Sequence, residues 1–142
     1  MALEIAAGRM IAPYVGMSLY SWTAVIAVVL SGLTLGHWIG GRLSDTPGEG
    51  PRLALGWSLV LAALFSLAAI PILRAVSGGA VAISGPVWGT VLIAALAFGL
   101  PSLLAGMVAP LATMLALRGA QPGGEGRILG RMFALGAGGA IL

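Results

Sequence analysis

The chain has 142 residues, of which 59% are hydrophobic and 8% charged, with a net charge of +3 and no cysteine. A soluble domain carries about 25% charged residues, so this composition belongs in a lipid bilayer. Disulfides and thiolate metal sites are excluded. The seven basic residues are all arginines, set singly at predicted helix ends with no basic face or aromatic platform, which excludes nucleic acid as a partner.

Residues 1–12 are mostly apolar but too short to span a membrane, and they predict a partial helix ended by Pro13 and Gly16. Glu4 precedes any apolar run and no basic segment leads it, so this is not a signal peptide. Glu4 and Arg9 are about 140° apart around a helix and do not pair with each other. Two roles are open to them. One is a substrate or coupling site within the membrane. The other, preferred here, is a structural ion pair with another helix.

Residues 19–41 contain no charge and predict the first full span. Gly32, Gly36 and Gly40 recur at every fourth position, which makes a ridge without side chains for close helix packing. Trp22 and Trp38 would lie roughly 24 Å apart along the helix, matching two interfacial belts. His37 is a candidate proton-relay residue, although a neutral, hydrogen-bonded interface histidine is the preferred reading because no carboxylate precedes it in this helix. The span stops at the polar turn Gly41-Arg42-Leu43-Ser44-Asp45.

A short loop rich in proline and glycine follows, and residues 53–73 predict the second full span, with Trp57 near its start and Arg74 past its end. Residues 77–86 read as a turn. A third span begins near residue 87, and no charge appears until Arg118. A straight helix of that length would be about 46 Å long, too long for one upright crossing. Pro101 and Pro110 are therefore expected to break it, with the crossing ending near residue 107. After a polar turn, residues 128–142 start a further partial helix. Its run Leu135-Gly136-Ala137-Gly138-Gly139-Ala140 superficially resembles a nucleotide loop, but no strand precedes it, so small-residue helix packing is the preferred reading.

Arg42, Arg52, Arg118, Arg127 and Arg131 fall on one side of this layout, and Arg9 and Arg74 on the other. The imbalance predicts that loops 42–52 and 118–131 face the cytoplasm. No cofactor or metal site is expected. The whole of residues 1–142 reads as a single all-α, polytopic transmembrane domain with three full spans (about 19–41, 53–73 and 87–107) and two partial helices.

Gly41-x-Leu43-x-Asp45, between the first two full spans, has the layout of a loop motif of the major facilitator superfamily. That resemblance implies a conformational latch in which Asp45 meets a helix end and an arginine, with Arg42 and Arg52 as the basic partners. The alternative is that Asp45 caps or solvates the loop. The basic residue that usually follows the acid is replaced by Thr46 and Pro47, so the latch would be an altered one.

Three blocks together resemble one family. The first is Leu3-Glu4-Ile5 with Arg9 and Ala12-Pro13-Tyr14-x-Gly16-x-Ser18-x-Tyr20-x-Trp22. The second is Leu30-x-Gly32-x-x-Leu35-Gly36-x-x-x-Gly40-Gly41-x-Leu43-x-Asp45. The third is Leu100-Pro101 with Gly106-Met107-x-x-Pro110 and Gly130-Arg131-x-Phe133-Ala134-Leu135. They are similar to the N-terminal membrane domain of bacterial fused proteins that join a major-facilitator-like bundle to a spermidine-synthase-like domain. The resemblance implies a fragment of such a bundle in the bacterial inner membrane. It would serve as an anchor, or as a small-solute or polyamine transport unit, for a cytoplasmic spermidine-synthase-like domain. The family's catalytic residues map onto nothing in this chain. The rival expectation is a major-facilitator-type half-transporter, completed by the remainder of its bundle or by homo-oligomerisation. A third is a non-catalytic structural membrane subunit.

Overall fold

The computed structural model describes residues 2–15, 19–119 and 123–141. These are helical except for short turns, with no strand among them. In chain order they form α1 (Ala2–Val15), α2 (Leu19–Ser44), α3 (Gly50–Ala94), a π-helical turn (Ala95–Gly99), α4 (Leu100–Arg118) and α5 (Glu125–Ile141). Three stretches are long and apolar enough to cross a membrane: Leu19–Ser44, Gly50–Val76 and Trp88–Arg118.

A straight helix with the 45 residues of α3 would be about 68 Å long. Its two legs instead lie side by side. Ala69 and Leu73 share a buried cluster with Ile93, Ala94 and Phe98, and Ala54 and Leu55 pack with Met107 and Leu111. The second and third spans therefore run antiparallel, and residues 77–86, where glycine, serine and proline predict a turn, are helical within Gly50–Ala94 instead. The glycine ridge of α2 faces successively later residues of the third span, so those two spans run parallel. Exposed aromatics mark both ends of this three-span unit: Trp38 and Trp57 at one, Tyr20 and Trp88 at the other.

The close approach of α2 to α4 is possible because both helices lack side chains where they meet. A Cβ added at Gly32 would lie 2.8 Å from the Ser102 Cβ, and one at Gly40 would lie 2.8 Å from the Met107 carbonyl oxygen. At Gly36 it would collide with the Leu103 carbonyl. The partner is small as well: a Cβ on Gly106 would lie 3.0 Å from the Leu33 Cα. In lipid such backbone-to-backbone packing replaces the water-driven burial of a soluble core. Ser102 is fully buried at this crossing, and its hydroxyl has no hydrogen-bond partner. The first helix closes the other end of α2, where Ala7 and Ile11 join Val25 and Val29 in the core and Trp22 lies over Gly8.

Several boundaries differ from the sequence expectation. Pro13 does not end α1, which continues to Val15. The helix of the first span extends to Ser44, and the next helix begins at Gly50 rather than 53. The helix of the third span does not stop near residue 107 but continues to Arg118. Nor do Pro101 and Pro110 each break it. The only irregularity in this stretch is the π-helical turn just ahead of Pro101, where one extra residue per turn absorbs the clash that proline makes with the preceding turn. Pro110 sits inside α4 without interrupting it, its ring turned toward Gly40 of the neighbouring helix. A proline is tolerated there because neighbouring helices support the backbone it weakens. The last helix begins at Glu125, not 128.

Candidate functional site

The loop end of the bundle is organised by Arg118. This residue closes α4, and its guanidinium reaches across to the α2–α3 loop. Nη2–H groups donate to the carbonyls of Ser44 and Thr46, both at 2.8 Å, and Nη1–H donates to the Gly48 carbonyl at 3.3 Å. The Ser44 carbonyl ends α2 and the other two follow it, where a helix end leaves acceptors without intrahelical donors, and the planar fork of arginine suits several acceptors at once. The loop is also shaped from within. The Thr46 hydroxyl donates to the Leu43 carbonyl at 2.7 Å, the Ser44 hydroxyl donates to the Gly41 carbonyl at 2.6 Å, and Gly48 takes a φ of +78°, which favours glycine. Pro51 at the start of α3 then presets the helical backbone.

The residues singled out for a latch take other positions. Asp45 is exposed in the turn, and Arg118 binds backbone carbonyls around it rather than its carboxylate. The Arg42 guanidinium lies 3.9 Å from the centre of the Trp38 ring, a cation–π contact at the interface. Arg52 lines a groove on the outer face of α3 with Glu49 and Trp57. Arg118 carries the tie, and sequence reasoning assigned it only to orientation. A lone arginine at a helix end gives no sign of which carbonyls, some seventy positions earlier, it will reach.

A second feature is the face of α2 turned away from the glycine ridge. Thr23, Ser31, Thr34 and His37 are all exposed on it. At 100° per residue they fall within about 60° of Thr34, while Gly36 lies about 160° away. The Thr23 and Thr34 hydroxyls donate to the carbonyls of Leu19 and Leu30, each at 2.8 Å. The His37 Nδ1–H donates to the Leu33 carbonyl at 2.6 Å, since a carbonyl only accepts. These bonds satisfy part of the polar capacity within the helix. Beside this face, Ser31 and Gly32 line an apolar groove of about 460 Å³ between α2 and the π-helical turn, with Val28, Val91 and Gly99.

Arg9 is exposed on α1, while the Glu4 side chain lies outside the described residues. Around α5, nothing lies within 4 Å of where a Cβ would sit on Gly136, Gly138 or Gly139, while Gly136 and Ala137 line a cavity together with Ala109 and Thr113 of α4. Among the described residues there is no group of three or more histidine or acidic side chains able to hold a metal ion. The chain matches no known protein-family model, no curated protein and no solved structure.

Proposed function

We propose that this chain is the membrane module of a spermidine-synthase-like assembly, a major-facilitator-like half bundle that anchors a cytoplasmic catalytic domain and performs no group transfer itself. The observation that carries this reading is the way the three spans are joined. α2 and α4 meet backbone to backbone, and Arg118 ties the α2–α3 loop to the end of the third span. Spans packed this closely, with the loop at one end tied by hydrogen bonds, suit an anchor. Anchoring is preferred to polyamine passage because the groove beside α2 has no charged residue in its lining.

A second reading, an oligomeric half-transporter, is favoured by the polar face of α2. Thr23, Ser31, Thr34 and His37 on the outside of a spanning helix are better placed against protein than against lipid.

One experiment separates the two. Membranes containing the chain are mixed with a spermidine-synthase-like domain encoded beside it, sedimented, and assayed for aminopropyl transfer to putrescine. The anchor reading expects the domain to sediment with these membranes and activity to require it. If the domain stays in solution while Thr34→Cys copies form disulfide-linked dimers, the oligomeric half-transporter replaces the anchor.

A further inference from the structure

The outer face of α3 at the loop end of the bundle holds a groove of about 450 Å³ lined by Glu49, Arg52, Leu53, Gly56, Trp57 and Val60. Its shape follows from helical spacing. Glu49, Leu53 and Trp57 form one row of side chains at every fourth position, and Arg52, Gly56 and Val60 form the adjacent row. Gly56 leaves a notch in the second row, with nothing within 4 Å of where its Cβ would be. Leu53, Trp57 and Val60 are 62%, 63% and 51% exposed, so the notch opens outward from the bundle. Among the described residues, neither the Glu49 carboxylate nor the Arg52 guanidinium has a hydrogen-bonding or ion-pairing partner.

We propose that this groove is a binding site for phosphatidylethanolamine. The groove lies at the end of a helix long and apolar enough to cross a membrane, on the side facing away from the other spans, so a phospholipid is the molecule presented to it. Its charge pattern then selects among phospholipids. One acid and one base side by side complement a zwitterion and not a net anion. Arg52 offers a forked donor to the phosphate, and the Glu49 carboxylate accepts from the ammonium group. That second contact requires N–H donors. Ethanolamine has them, and the trimethylated choline group does not. Trp57 stands at the headgroup level, where indole rings favour the interface, and the notch at Gly56 takes the upper part of an acyl chain. The site does not depend on which side of the membrane the loop faces, nor on whether the chain anchors an enzyme.

The test is native mass spectrometry of the full chain in detergent, titrated in turn with phosphatidylethanolamine, phosphatidylcholine and phosphatidylglycerol. The proposal expects phosphatidylethanolamine to be retained about fivefold more strongly than phosphatidylcholine, the discrimination available to one exposed charge-assisted contact. Glu49→Gln should bring the two to the same level, and Arg52→Gln should weaken both. Gly56→Leu should reduce retention of phosphatidylethanolamine without changing the melting temperature, because the notch touches no other helix. Equal retention of the three lipids by the unaltered chain would overturn the proposal. So would a preference for phosphatidylglycerol, or full retention of phosphatidylethanolamine by Gly56→Leu.

Discussion

Gly36 and Gly106 face each other across the α2–α4 crossing so closely that a Cβ added to Gly36 would lie 2.9 Å from the Gly106 Cα. Neither position has room for a side chain, and the atoms in the way are backbone, which no change of rotamer can move aside. This contact fixes the distance between the two parallel spans, and the rest of the bundle is arranged around it.

Gly36→Leu should therefore force the two helices apart. The expected loss is on the order of 1–3 kcal/mol from overpacking, read as a lower melting temperature in detergent. Gly41→Leu is the matched control. It lies on the same helix with nothing within 4 Å of its Cβ position, and it should melt with the unaltered protein. Equal melting of both variants with the unaltered chain would mean that the α2–α4 contact contributes nothing to stability.

Arg118→Gln should release the α2–α3 loop. Its bonds to the carbonyls of Ser44, Thr46 and Gly48 are charge-assisted but largely exposed, so the loss in global stability should be only about 1–2 kcal/mol. The larger effect is local: amide hydrogen exchange should accelerate at residues 45–49. Arg118→Lys keeps the positive charge but loses the planar fork, so the loop should again exchange faster. Unchanged exchange in the lysine variant would show that charge alone holds the loop.

The three spans were legible in the sequence because a long uncharged run, bounded by aromatics and arginines, carries more apolar surface than a chain this short could bury in water. The glycine ridge was legible too, from its spacing on one helix. Its partner was not. Gly99, Gly106 and Pro110 lie about seventy residues further on, and local spacing carries no record of which distant helix fills a groove. Pro110 misled for a related reason. A proline in an isolated helix is a break, whereas here it packs toward Gly40 and the helix continues. Arg118 was counted as an orientation signal, which uses only its charge. Its role at the loop rests on the fork geometry and on carbonyls that become neighbours only after folding.

Cysteine accessibility in sealed membrane vesicles tests the central claim most directly. If Leu19–Ser44, Gly50–Val76 and Trp88–Arg118 each cross the bilayer, the chain changes sides three times. Cysteines placed singly at Thr46 and Gly123 should react only with a membrane-impermeant reagent on the cytoplasmic side, and one at Gly79 only from the opposite side. Labelling of all three positions from the same side would contradict the three-span membrane bundle.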